Sequence, residues 1–189
     1  MRSLSSPSQL FNTTMTTHGL IALVAVSFLL ALNGPQFFLI DSFSDLFQAL
    51  LLGIFAGGAL QVLQWLARKT VPIIRNMSAL LETQFEGWTG KEIFFVALIS
   101  SISEELLFRA LIQPYLGLWL TSLIFGLAHW TGVRELRIWV PLAFLGGLFL
   151  GALAESSLFG IPGSVAAHFT INLTSLWILT HKRGSPETP

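Results

Sequence analysis

Stretches of apolar residues long enough to cross a lipid bilayer recur along this chain, and that feature excludes most soluble folds. A spanning helix needs about 20 mostly apolar residues. Six segments fit, at 18–40, 46–67, 92–113, 116–132, 137–154 and 163–180. Lipid offers no hydrogen bonds, so each segment must satisfy its own backbone groups, which a helix does. Only 11% of the residues are charged and 53% are apolar, whereas soluble domains carry about 25% charged residues. The expected fold is therefore all-α, a polytopic membrane bundle of about six transmembrane helices.

The first segment is interrupted by Asn33, Gly34 and Pro35, so it is expected to kink or end there and leave 36–40 at the interface. The apolar run 19–32 follows a Ser/Thr-rich stretch with one basic residue, Arg2. It reads as an anchored first helix rather than a cleaved signal peptide. Residues 68–91 form a long polar connection in which Ile74, Met77, Leu81, Phe85 and Trp88 recur at helical spacing. That pattern predicts an amphipathic helix on the membrane surface. Gly53 with Gly57, and Gly147 with Gly151, are small-residue pairs that let helix backbones approach closely. The tryptophans cluster near segment ends, as in an interfacial belt.

Lys and Arg stay on the cytoplasmic side of a membrane protein. With the N-terminus inside and six spans, Arg2, Arg68, Lys69, Arg75, Lys91, Arg134, Arg137, Lys182 and Arg183 all fall inside, and Asp41 and Asp45 fall outside. The reading is a multi-pass protein of the cell membrane with both termini and the amphipathic helix cytoplasmic. Ten Lys plus Arg balance ten Asp plus Glu, so nothing points to nucleic acid. The expected partners are the bilayer and a membrane-associated substrate. Cysteine is absent, which excludes disulfides, thiolate nucleophiles and Cys-bound metals.

The informative residues are those that do not belong in lipid. Glu104, Glu105 and Arg109 fall near the middle of the third segment, where a charge costs about 2.5–3.5 kcal/mol. Positions four apart share a helical face and adjacent positions diverge by about 100°. Glu105 is therefore placed to pair with Arg109 while Glu104 looks elsewhere. His129 and His168 also lie in apolar segments, and Asn172 shares a face with His168. His18 and His181 flank the segments and are assigned no role. Amide hydrolysis needs a base for water, an acid for the leaving nitrogen and donors for the oxyanion. A carboxylate, two imidazoles and a carboxamide supply all of these. The same inventory offers two other uses. Glu, His and His could hold Zn²⁺ with an open position for water, although HExxH is missing. Intramembrane Glu, His and Arg also build proton relays, so a proton- or ion-coupled transporter is an alternative.

Three motifs in order carry a resemblance. Glu104, Glu105 and Arg109 form EELLFR; Phe125 and His129 form FGLAH; His168 and Asn172 form HFTIN. Here the chain resembles the CPBP family, the CAAX proteases and bacteriocin-processing (Abi) enzymes that include the type II CAAX prenyl endopeptidases. The resemblance implies a glutamate-dependent intramembrane endopeptidase. By it, Glu104 and His129 activate water, His168 and Asn172 stabilise the oxyanion, and Glu105, Arg109 and Phe125 support the site. No cofactor is implied, although family members have also been described as metalloproteases, which keeps zinc as the alternative. A membrane-associated peptide, with prenylated ones among the candidates, is the implied substrate; a non-catalytic immunity or scaffold protein of the same fold is the other outcome. The division expected is 1–91 for the N-terminal helices and amphipathic connection, 92–180 for the CPBP-like core, and 181–189 for a cytoplasmic tail. If all segments were straight spans, Glu104 would lie mid-membrane, His129 nearer the inner end and His168 nearer the outer end. Convergence then requires a tilted or broken helix, or entry of 156–163 into the bilayer.

Overall fold

A computed structural model describes residues 6–38 and 42–181. Arg2, Asp41, Lys182 and Arg183, on which part of the orientation reading rests, lie outside the described residues, as do 39–40 at the exit of the first segment and nearly all of the expected tail. The described residues are helical throughout. Helix α1 spans Pro7–Asn33, α2 Phe43–Thr70, α3 Pro72–Gln84, α4 Gly90–Glu104, α5 Gln113–Ala128, α6 Trp139–Glu155 and α7 Gly160–His181. Between α4 and α5, residues Glu105–Ile112 continue the helix with π-type hydrogen bonding. The segment α1, the segment α2 and the stretch Arg134–Glu155 are each long and apolar enough to cross a membrane.

The bundle is apolar outside and buries many polar residues beside its apolar core. Leu23, Phe28, Phe43, Phe47, Phe55, Leu63, Trp119 and Leu145 are exposed, while Gln61, Ser100, Ser101, Ser103, Glu105, Arg109, Gln113, Thr121, Ser122, Ser164 and His168 are buried. Lipid gives no hydrophobic reason for helices to associate, so close packing and polar contacts hold them together. That distribution makes this a membrane protein.

The first helix begins earlier than the hydropathy alone implies. Ser6 caps it by accepting from the Gln9 amide while the Gln9 side chain accepts from the Ser6 amide, and Pro7 occupies the first turn. Capping box and proline together fix the start. His18, read from sequence as a flanking residue, is instead inside α1. Gly34 ends the helix with φ 71° and an amide bonded to Leu30, and Pro35 opens a short 3-10 turn.

The amphipathic connection is shorter than expected. Helix α3 stops at Gln84 and Trp88 leaves it to pack in the turn before α4. There the Trp88 indole N–H donates to the Pro7 carbonyl at 3.1 Å, and its ring meets Phe11 and Phe85 edge-on. This ties the start of α1 to the start of α4, so the two helices run side by side in the same direction.

Both glycine pairs sit at close approaches. A methyl group on Gly53 would meet Ala166 Cβ at 2.9 Å as well as the Gly163 carbonyl, and one on Gly57 would lie 3.0 Å from Ala167 Cα, which locks α2 onto α7. Gly147 and Gly151 admit α5, the first against Ser122 and Phe125 and the second against Gln113 and Leu118. Gln61 adds a polar tie by donating to the Ile171 carbonyl at 2.6 Å and to Ser175.

The connection expected at 114–115, between the third and fourth segments, falls instead at Gly117, inside the stretch counted as α5. Gly117 sits at φ 71°, so the regular part is 118–128. It is only about 17 Å long. Its end, His129, thus reaches only part-way back across the bundle. Measured back from Gly117, Glu104 lies about 18 Å along the preceding helical stretch, a depth close to that of His129, and His168 lies about 12 Å into α7. The three levels meet because one helix is short, and residues 156–159 form a tight turn before α7.

Gly57→Ala is expected to lower stability in detergent by about 1–3 kcal/mol through overpacking against α7. Gly58→Ala, whose added methyl would meet nothing within 4 Å, is expected to match wild type in the same unfolding assay.

Candidate active site

The centre of the bundle holds a charged pair whose neighbours satisfy one carboxylate and leave the other open. Glu105 is fully buried and Arg109 is 3% exposed. Their ion pair spans 3.4 Å from Nε to Oε2, one turn apart. An isolated charge at this depth is expensive, and further hydrogen bonds must complete the pair. Glu105 Oε2 accepts from the Ser164 hydroxyl and Oε1 meets His168 Nδ1 at 2.9 Å. Arg109 Nη1 donates to Gln113 Oε1 at 3.2 Å, and the Arg109 guanidinium lies 5.0 Å from the centre of the Phe125 ring. Gln113 passes the chain on, donating to the Gly151 carbonyl at 3.1 Å and to Glu155 at 2.8 Å. A continuous polar path therefore runs from Glu105 to the end of α6.

Glu104 has no such set of donors. Its Oε2 is buried without a hydrogen-bond partner among the described residues. His168 Nε2 lies 3.8 Å from Oε2, and His18 Nδ1 lies 3.8 Å from Oε1. Both distances exceed direct hydrogen bonding. An ionised carboxylate only accepts, so the His168 proton toward Glu105 sits on Nδ1. The second ring nitrogen, Nε2, faces Glu104, and it is a donor there when the imidazole carries both protons.

His129 caps α5, and its Nδ1 lies 2.8 Å from the Phe125 carbonyl. A carbonyl cannot donate, so Nδ1 carries the proton and Nε2 is left as a basic nitrogen. Phe125 is the spacer of the site: its ring centre is 4.6 Å from that of His129, 6.1 Å from that of His168 and 5.1 Å from that of Phe108. Asn172 lies one turn beyond His168 and donates to Ser100 Oγ at 3.0 Å. One of its amide hydrogens is thereby committed to α4 and the other is left over.

Glu104, Glu105, Arg109, Phe125, His129 and His168 thus meet in one cluster, with Asn172 reaching α4 beside it through Ser100. Sequence reasoning passed over four residues that build this centre. Ser164 and Gln113 complete the buried pair, Ser100 holds Asn172, and His18 faces Glu104. The ISSIS run ahead of the glutamates was the available signal for the serines. A zinc site needs three or four protein ligands around one point, and no group of three His, Asp or Glu side chains fits a metal ion among the described residues.

Residues 87–174 match the family model described as type II CAAX prenyl endopeptidase Rce1-like, consistent with the CPBP resemblance carried by the three motifs. The uncharacterized protein YpbD of Bacillus subtilis (strain 168) is 32% identical over 87 residues, which cover 46% of this chain and 41% of that protein. The chain thus spans less than half the length of this curated relative. No solved structure matches.

Glu105→Ala strands Arg109 without its carboxylate and is expected to destabilise the protein by about 3–5 kcal/mol. Glu104→Ala removes a carboxylate with no bonded partner and is expected to leave stability near that of wild type. Unfolding of both variants in the same detergent checks the contrast.

Proposed function

We propose that the protein is an intramembrane endopeptidase that hydrolyses a peptide bond of a membrane-associated substrate, in the manner of CAAX prenyl proteases. The observation that carries this reading is the unequal treatment of two adjacent glutamates. Glu105 is neutralised by Arg109, Ser164 and His168, whereas Glu104 faces two imidazoles with a buried, unbonded oxygen. A structural ion pair needs only the first.

In this reading a water molecule lies against Glu104 and His129. Its oxygen attacks the scissile carbonyl carbon as Glu104, assisted by His129, takes its proton. The developing oxyanion is met by His168 and by the uncommitted amide hydrogen of Asn172. When the C–N bond breaks, the proton held at Glu104 passes to the leaving nitrogen, giving a carboxylic acid and an amine. Glu105 and Arg109 hold His168 and Phe125 in register. No step uses a metal ion. The protein crosses the cell membrane several times with both termini cytoplasmic. Near the cytoplasmic ends of α4 and α7, Gly90, Phe94, Leu173, Trp177 and Ile178 line an apolar groove. It gives a lipid tail a place on the same two helices that carry Glu104 and His168, which supports a lipidated substrate.

The test is cleavage of prenylated and unprenylated reporter peptides by purified protein in detergent. Glu104→Ala and His129→Ala are each expected to lose about 10²–10⁴-fold in kcat, with wild-type activity surviving a chelator. Cleavage retained in Glu104→Ala contradicts the reading, and activity abolished by chelation replaces it with a metal-dependent one.

A further inference from the structure

We infer that His18, on the first helix, is a positioning residue for Glu104. The inference rests on the peptidase reading above, but not on the family match, because His18 lies outside residues 87–174. His18 sits where the polar run 12–17 of α1 gives way to the apolar run from Gly19, with its side chain 17% exposed. An imidazole in such a place costs free energy unless it is hydrogen-bonded.

Its partner is specific. His18 Nδ1 lies 2.9 Å from Ser103 Oγ, and the Ser103 hydroxyl donates to the Ser100 carbonyl at 3.1 Å. With its hydroxyl turned to the Ser100 carbonyl, the Ser103 oxygen accepts from His18 Nδ1, and the contact fixes the ring against α4 whichever atom donates. The same ring nitrogen lies 3.8 Å from Glu104 Oε1, which brings the imidazole against the carboxylate without a hydrogen bond to it. On the opposite side of the carboxylate, His168 has committed its Nδ1 proton to Glu105. Fixed by Ser103, the His18 ring stands against Oε1 from the α1 side and limits where the carboxylate can turn, leaving Oε2 toward His168, where the reacting centre is proposed. The turn that pins Trp88 to Pro7 and Phe11 keeps α1 beside α4.

A carboxylate misplaced by about 1 Å loses on the order of 10²-fold in rate. His18→Ala is accordingly expected to lower kcat by about 10–100-fold with KM unchanged and the folded fraction intact. His18→Asn, whose amide N–H can take the Nδ1 place, is expected to recover most of that loss. Full kcat in His18→Ala overturns the inference, as does an Asn variant no better than Ala. Glu104→Gln, assayed alongside, separates the two ideas: if it cleaves like wild type, or if wild type cleaves nothing, the peptidase reading fails. In that event the ¹⁵N-histidine spectra of the detergent-solubilised protein decide the contact. The His18 Nδ1 signal is expected to move in both Ser103→Ala and Glu104→Gln, and an unmoved signal overturns the inference whatever the activity.

Discussion

Glu105 and Arg109 place a carboxylate and a guanidinium where neither water nor lipid can stabilise them, and the surrounding helices are arranged to meet that demand. Their mutual attraction alone falls short of the desolvation cost, so geometry and extra hydrogen bonds have to close the gap. Ser164 and His168 come from α7, Gln113 from the start of α5, and Phe125 lays its ring beside the guanidinium. Because these partners come from separate helices, satisfying the pair also fixes how α4, α5 and α7 sit. The same arrangement fixes the His168 tautomer and sets Phe125 between the two imidazoles. A structural necessity and a chemical opportunity therefore share one set of contacts.

Bringing the histidines to the level of the glutamates depends on helix length. Six uninterrupted spans would have put His129 well away from Glu104. The break at Gly117, where φ is 71°, shortens the regular part of α5 so that its C-terminal residue ends inside the bundle. The π-helical stretch Glu105–Ile112 lies in the same turn of the chain. Such widened turns are frequent at functional sites. Glycine also sets the spacing on the other side, where Gly53 and Gly57 let α2 support α7 at backbone contact.

Much of this was legible in the sequence, for physical reasons that differ from element to element. The helical class follows from apolar runs that must satisfy their own backbone, and the Glu105–Arg109 pair from a spacing of four. The start of α1 was hidden because SQLFNTTMTT is too polar to register as a span, although Ser6, Pro7 and Gln9 carried the capping signal. Missing that start misplaced His18 at an interface. The division at 114–115 fell close to the break, but its exact place at Gly117 was not marked, since glycine is common in membrane helices. Ser164, Gln113 and Ser100 act through contacts between helices distant in sequence, which no local pattern encodes.

The division of roles between Glu104 and Glu105 is tested most directly by an experimental structure with a bound peptide phosphonamidate, a mimic of the tetrahedral intermediate. The account predicts the tetrahedral phosphorus between Glu104 with His129 on one side and His168 with Asn172 on the other, with the Glu105–Arg109 pair undisturbed. An analogue seated away from Glu104, or one whose phosphoryl oxygens are held by Glu105 or by a metal ion, would contradict it.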